Sequence, residues 1–137
     1  MTIPFLACMA SVAVFYHLPP RVLPSIQAVE GGRPGLAHVN QDGSQDLGVM
    51  QVNTRWVQPL AGQTGMAPPI VQQRLLDDPC YNIAVAGAIM RIYLDEAGGD
   101  LLRAIGYYHS HRVPLADAYQ LRVVASAARL FGGTAPR

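Results

Sequence analysis

Pairs of prolines and glycines interrupt this chain at short intervals, and they constrain its fold more than any other feature. They stand at Pro19-Pro20, Gly31-Gly32, Pro68-Pro69, Gly98-Gly99 and Gly132-Gly133. Proline suits the first turn of a helix and glycine suits the position just past its end. Little between the pairs alternates as a strand does, so we predict a mainly α fold.

The starts expected for the helices are Phe5, Pro20, Asn53 or Thr54, Pro68, Asp78, Asp100 and Val113. In the first helix, Cys8, Met9 and Val12 recur at helical spacing between Phe5 and Phe15, which favours an amphipathic helix packed on a core. The alternative is the apolar region of an export signal, but no basic residue precedes it. On the favoured interpretation, any export signal has been removed or was never part of this sequence.

The segment 33–48 has no helical period. Asp42-Gly43 within it is a turn signal that can close a small hairpin. A chain of 137 residues suits one compact domain, so we expect a single domain over residues 1–137.

The charge pattern excludes several classes of function. The net charge is +1, and the ten basic residues are all arginines without a cluster, so we expect no binding to nucleic acid. No run of about 18 apolar residues is present, so we expect no stable insertion into a membrane. Neither the cysteines nor the histidines have the spacing of metal ligands, so we predict no metal and no cofactor. We expect a monomer.

The two cysteines, Cys8 and Cys80, lie far apart in the sequence. They are either joined by a disulfide or are two buried free thiols, and the residues favour neither alternative. A disulfide would indicate an oxidising compartment such as the periplasm.

Glu30 is the strongest candidate for a catalytic group. It follows Leu23 and Ile26 at i, i+3, i+7, so its carboxyl group continues an apolar stripe at the end of a helix. Burial and the negative end of the helix dipole both raise the pKa of a carboxyl group there. A carboxyl group that is still protonated near neutral pH is what a general acid for glycosidic cleavage requires. Taken alone, a glutamate before Gly31-Gly32 is more often simply exposed to solvent.

Three further segments favour a catalytic role for Glu30. Gly48-Val49-Met50-Gln51 after the helix-ending glutamate resembles the Gly-Leu-Met-Gln motif of lytic transglycosylases, and Tyr107-Tyr108-His109 corresponds to their Ala-Tyr-Asn motif. The start of a helix at Asp78-Pro79-Cys80 and the cysteine in the first helix resemble the small transglycosylases of secretion and conjugation systems. The resemblance runs from about Cys8 to Tyr119.

The resemblance implies a lysozyme-like multi-helix domain that shares its fold with goose-type lysozymes. It also implies cleavage between N-acetylmuramic acid and N-acetylglucosamine in peptidoglycan, with Glu30 as acid and base and an anhydro-muramic acid end as product. The implied setting is the periplasm or cell envelope, with glycan strands as substrate and a secretion or conjugation machine as possible partner. The implied substrate-binding residues are Asp46, Gly48, Met50, Gln51, Asn53, Tyr108 and His109.

The residue types suit these roles, although several have a structural alternative. Gly48 would let the backbone approach a sugar, and the backbone around Met50 could bind an N-acetyl group, unless Met50 only fills the core. Gln51 and Asn53 can each donate and accept hydrogen bonds, or can serve in turns and caps. Tyr108 offers an apolar face and a hydroxyl to orient Glu30.

The departures from the family pattern raise alternatives. His109 stands where the family has asparagine, and can donate a hydrogen bond as a neutral ring or simply pack. Gly31 stands where the family often has serine. The segment Asp46 to Asn53 also resembles chicken-type lysozymes, whose aspartate is a second carboxylate, so Glu30 and Asp46 could hydrolyse the bond instead. Otherwise, Asp46 only stabilises its loop. A third alternative is a non-catalytic scaffold that binds peptidoglycan.

Overall fold

A computed structural model of the chain describes residues 2–132, and all statements about structure refer to these. Its α-helices are α1 (Leu6–Phe15), α2 (Val22–Glu30), α3 (Val57–Thr64), α4 (Pro68–Asp77), α5 (Pro79–Glu96), α6 (Leu101–His109) and α7 (Val113–Phe131). Three short strands, β1 (Ala37–Val39), β2 (Gln45–Leu47) and β3 (Val52–Asn53), form an antiparallel sheet. The mainly α, lysozyme-like class predicted from the sequence is confirmed.

Helix α5 is the centre of the fold, because α1, α4 and α6 all pack against it. It begins where predicted, with the Asp78 side chain accepting a hydrogen bond from the Tyr81 N–H at 3.1 Å. Ile83, Ala86 and Met90 on its inner face are fully buried. The helices that pack against α5 therefore share one apolar core.

Most predicted helix boundaries are confirmed. Pro68 and Asp100 mark starts as expected, and the side chain of Asn53, not that of Thr54, caps a single-turn 3-10 helix (Thr54–Trp56) before α3. The start predicted at Pro20 is wrong, because α2 begins two residues later at Val22. The last helix ends at Phe131, next to Gly132, while Gly133 lies outside the described residues.

The first helix packs less completely than its pattern predicts. Met9 is fully buried and Cys8 and Val12 are half-buried, but Phe15 remains 74% exposed. Phe5 lies just before the helix, in the left-handed region at φ 55°, and is also exposed. Ala13 is the other buried residue of α1, and Gly87 of α5 allows the close approach of the two helices, since a Cβ atom there would collide with Val12.

Cys8 and Cys80 form a disulfide, which decides between the two alternatives that the sequence left open. The bridge joins α1 to the first turn of α5, with the two Cα atoms 5.6 Å apart. It therefore fixes the first helix to the central one.

The hairpin predicted at Asp42-Gly43 is also present. Strands β1 and β2 pair as Ala37 with Leu47 and Val39 with Gln45, and Gly43 takes a positive φ of 87° in the turn. The third strand, β3, was not expected from the sequence. No helix in residues 2–132 is both long and apolar enough to cross a membrane.

Candidate active site

Glu30 lies at the C-terminal end of α2, where its side chain leaves the core. Leu23 and Ile26 on the same stripe are buried, at 1% and 0% exposure, whereas Glu30 is half-buried. Gly31 ends the helix at a φ of 67°, which a residue without a side chain adopts freely. The stripe and the glycine stop therefore place a carboxylate at the boundary between core and solvent.

Tyr119 on α7 holds this carboxylate. Its hydroxyl donates a hydrogen bond to Oε2 of Glu30 at 2.5 Å. Helix α7 is fixed beside α2 by a second contact, in which the buried Ser126 hydroxyl donates to the backbone oxygen of Ser25 at 2.8 Å. Tyr119 is itself 1% exposed, so its position is fixed by packing.

The surroundings of Glu30 raise its pKa above the ordinary value. Burial is the main cause, and the hydrogen bond from Tyr119 opposes it because it favours the ionised form. The negative charge of Asp46 raises the pKa further, and Arg122 lowers it by a smaller amount. The net direction is that of a carboxyl group that holds its proton toward neutral pH.

The side chain of Glu30 lies in a cleft between the hairpin and the helices. Most of the side chains around it are polar, and its lining comprises Glu30, Asn40, Asp42, Ser44, Asp46, Gln51, Val52, Asn53, Arg55, Trp56, Ile89, Tyr108 and His109. A polar cleft with aromatic rings and an acid of raised pKa suits a carbohydrate chain, since sugars present both hydroxyl groups and apolar faces.

The end of α2 meets the segment Gly48-Val49 without intervening side chains. A Cβ atom at Gly32 would collide with the backbone oxygens of Gly48 and Val49. A Cβ atom at Gly48, whose φ is 71°, would collide with the backbone oxygen of Leu75. Three pieces of main chain are thus in direct contact, which fixes the Glu30 helix relative to one wall of the cleft.

Comparison with known protein families agrees with this geometry. The family model "Transglycosylase SLT domain" matches residues 8–122 of the chain. The chain belongs to this family. The matched residues run from the first turn of α1 into α7, so they include Glu30, the Gly48 segment and Tyr119.

This SLT domain is also similar to curated proteins of Salmonella. Invasion protein IagB of Salmonella typhimurium strain SL1344 and that of Salmonella typhi are each 30% identical to it over 112 residues. The aligned part covers 78% of this chain but 64% of the relative. The chain therefore spans less than two thirds of the length of these relatives.

Within the SLT domain, Gly48 and Met50 do not line the cleft. Gly48 lies against Leu75 and Asn82, and this packing leaves no room for a side chain. Met50 is fully buried, its N–H donates to Oδ1 of Asn82 at 2.8 Å, and its backbone oxygen accepts from Tyr108. The core role is the one observed for Met50, because its backbone groups are already bonded within the protein.

The expected contact of the Tyr108 hydroxyl with Glu30 is wrong. That hydroxyl donates to the backbone oxygen of Met50 at 2.8 Å, and Tyr119 takes the role instead. Tyr108 still lines the cleft, and burial raises the pKa of its hydroxyl well above the usual value, so it remains a neutral donor.

Gln51 and Asn53 line the cleft but also hold the protein together. The Gln51 amide nitrogen donates to the backbone oxygens of Gly48 at 3.0 Å and Leu36 at 3.3 Å. The Asn53 side chain accepts from the Arg55 N–H at 2.9 Å and donates to Oδ1 of Asp46 at 2.9 Å. The capping alternative is therefore confirmed for Asn53, which also orients Asp46.

Asp46 and His109 stand near Glu30. Asp46 lines the cleft from β2, and its second oxygen lies 3.9 Å from Nδ1 of the exposed His38. His109 stacks on the Tyr119 ring, with centroids 4.9 Å apart and planes at 9°. Burial and then Arg122 lower the pKa of His109, so its ring is neutral at neutral pH.

Several residues of the site were not predicted from the sequence. Tyr119 lies on the buried stripe Ala116, Tyr119 and Val123 of α7, and its only local signal is that a buried tyrosine hydroxyl needs a partner. Asn82 is fully buried and bonds three backbone groups, those of Met50, Leu47 and Leu75. The remaining unpredicted lining residues are Asn40, Asp42, Ser44, Val52, Arg55, Trp56 and Ile89.

Proposed function

We propose that this chain is a lytic transglycosylase that cleaves the bond between N-acetylmuramic acid and N-acetylglucosamine in peptidoglycan. The observation that carries the proposal is the half-buried Glu30, whose pKa is raised and whose side chain opens into a polar cleft. Membership of the SLT family supports this substrate class.

In the first step, protonated Glu30 gives its proton to the oxygen that leaves with N-acetylglucosamine. The bond between that oxygen and C1 of the muramic acid breaks as the N-acetyl oxygen of the same sugar shares its electrons with C1. Glu30 becomes a carboxylate, and the hydrogen bond from Tyr119 stabilises this charged form.

In the second step, the carboxylate of Glu30 takes the proton of the C6 hydroxyl group of the muramic acid. The C6 oxygen then forms a bond to C1 and displaces the N-acetyl oxygen, which closes the anhydro ring. Glu30 is protonated again, and no water is consumed. One carboxyl group is therefore sufficient for the whole cycle.

A second candidate is hydrolysis with Asp46 as the second carboxylate. One observation favours it, since Asp46 lines the same cleft and its charge raises the pKa of Glu30. In a retaining hydrolase this carboxylate would stabilise or attack C1, and water would complete the reaction.

Digestion of purified peptidoglycan in ¹⁸O-labelled water separates the two chemistries. Transglycosylation gives anhydro-muramic acid ends without label, whereas hydrolysis gives reducing ends that carry one ¹⁸O atom. We expect the unlabelled anhydro product by mass spectrometry, and none of it from Glu30→Gln. Labelled reducing ends alone would exclude transglycosylation.

The same digestion tests the non-catalytic scaffold. If the wild-type protein binds glycan strands but releases no new ends of either kind, the catalytic proposal fails. If Glu30→Gln binds as the wild type does but releases nothing, catalysis by Glu30 is supported.

We further propose that the chain acts in the periplasm or cell envelope, for local cell-wall remodelling around a secretion or conjugation machine. The disulfide supports an oxidising compartment, and the name of the Salmonella relatives associates them with invasion. Residues 1–137 would act as one domain that a partner places on the wall. Tight binding to intact peptidoglycan sacculi without a partner would contradict that placement.

A further inference from the structure

Arg55 lies in the cleft and has no part in the proposed mechanism. Its side chain is exposed there, yet it is held in place by two contacts. Its Nη2 donates to the hydroxyl of Tyr93 at 3.1 Å, and its guanidinium carbon lies 5.8 Å from the centre of the Trp56 ring. Tyr93 is buried and meets Trp56 edge to face, so these supports are themselves fixed.

Arg55 forms no ion pair in the part of the chain that the structure describes. The other titratable side chains of the cleft are Glu30, Asp42, Asp46, His109 and Tyr108. Hydrogen bonds from Ser44 keep the pKa of Asp42 below its usual value, and His109 is neutral at neutral pH. Arg55 is therefore the one positive charge among the described residues that line the cleft, where the other charged groups are carboxyl groups.

This arrangement is informative about the substrate, on the assumption that the proposed function is correct. A cleft lined by Asp42 and Asp46 repels anions, and N-acetylglucosamine is neutral. Muramic acid carries a lactyl group, which ends in a carboxylate when no peptide is attached, and attached peptides bring carboxylates of their own. A guanidinium fixed on an aromatic ring is suited to bind such a group, because little conformational freedom is lost.

We propose that Arg55 is a specificity residue that binds a carboxylate on the muramic acid units of the glycan. The source is either the lactyl carboxylate of peptide-free strands or a carboxylate of the peptide. Arg55 contributes to substrate affinity rather than to bond cleavage, since Glu30 acts on a neutral glycosidic oxygen.

Three glycan substrates test the proposal. They are strands with peptides, strands stripped of peptides by an amidase, and stripped strands whose lactyl carboxylates are converted to neutral methylamides. For Arg55→Gln we expect KM to rise about tenfold on carboxylate-bearing strands, with little change in kcat and no change on the neutral strands. The control is Arg129→Gln, which removes the same charge from an exposed position on α7.

The pattern across substrates identifies the carboxylate. A loss confined to stripped strands indicates the lactyl group, a loss confined to peptide-bearing strands indicates the peptide, and a loss on both indicates that Arg55 binds either carboxylate. An equal loss on neutral strands would overturn the proposal, because it would mean that Arg55 only supports Trp56. An unchanged KM on all three would overturn it as well.

Binding measured in the Glu30→Gln background gives a second readout. Affinity for the preferred carboxylate-bearing strands should fall with added salt when Arg55 is present, and the double variant with Arg55→Gln should respond less. If the wild-type protein cleaves none of the strands, the proposed function itself fails and this inference fails with it. Cleavage that is indifferent to Arg55 would overturn only the role of Arg55.

Discussion

The hydroxyl of Tyr119 donates a 2.5 Å hydrogen bond to Oε2 of Glu30, across 89 residues of sequence. The bond opposes burial, which raises the pKa of the carboxyl group. In the proposed mechanism Glu30 gives up a proton and then takes one back, so it needs a pKa between the limits that either influence alone would set. Its environment combines both influences.

Removal of this hydroxyl is expected to shift the pH profile of the enzyme. In Tyr119→Phe the ionised form of Glu30 loses a donor, so the pKa rises further and the alkaline limb of kcat/KM moves to higher pH. We also expect kcat/KM at the optimum to fall about tenfold or more, because the carboxylate is held less firmly. Tyr16→Phe, just after the end of α1, is the matched control, and an unshifted limb in Tyr119→Phe would contradict the role of the bond.

Glu30→Gln should stabilise the protein in a manner that depends on pH. In the unfolded chain the carboxyl group ionises with the ordinary pKa of a glutamate, whereas in the folded protein its pKa is raised. The folded state therefore loses stability relative to the unfolded state as pH rises from the ordinary pKa through the raised one. The gain in Tm of Glu30→Gln over the wild type should grow across that window, and a gain that stays constant from acidic to neutral pH would contradict it.

Asp46→Asn distinguishes the two carboxylate mechanisms. If Asp46 acts only through its charge and through Asn53, the variant keeps anhydro products and loses activity by about tenfold or less. Its alkaline limb should move to lower pH, because the negative charge that raises the pKa of Glu30 is gone. Complete loss of turnover in a folded variant would instead support a direct role for Asp46 at C1.

Gly32→Ala should disturb both stability and activity. The new methyl group would meet the backbone oxygens of Gly48 and Val49, which cannot rotate away. We expect a loss of about 1–3 kcal/mol in urea unfolding, together with reduced activity as the end of α2 shifts. Gly62→Ala is the control, since nothing lies within 4 Å of its Cβ position within α3, and it should be neutral or slightly stabilising.

Reduction of the disulfide should weaken the fold without altering the chemistry. The bridge spans 72 residues, so replacing Cys8 and Cys80 by alanine should lower the free energy of unfolding by about 2–5 kcal/mol. Unfolding in urea with and without reductant measures the effect, and the double variant should not respond to reductant. Activity per folded molecule should persist, since neither cysteine lines the cleft.

The local features of the fold were predictable from the sequence, whereas its distant pairings were not. Asp78, Pro79 and Gly31 act on the backbone beside them, so helix ends can be inferred from residue types alone. The apolar stripe that ends in Glu30 is also a local feature, because it follows from the spacing of residues within one helix. The partnership of Tyr119 with Glu30 depends on the packing of α7 against α2, which no periodicity specifies.

The same limit explains the residues whose roles changed. A buried Asn82 with three backbone partners gives no signal in sequence, because its bonds reach the separate segments of Leu47 and Leu75. Gly48 predicted a close approach of the main chain. Such an approach is present, but the contact is with another part of the protein's own main chain. The type of interaction that a residue makes was easier to predict than the atom with which it interacts.

The hairpin supplies polar side chains to the cleft and, apart from the buried Leu47 of β2, contributes little to the core. All three residues of β1 are exposed, and the side chains of Asn40, Asp42 and Ser44 bond mainly to one another near its turn. The polar lining of the cleft and most of the apolar core thus come from different parts of the chain. Under the proposed function, a hairpin of another length or sequence would change which glycans fit, while the helices keep Glu30 in place.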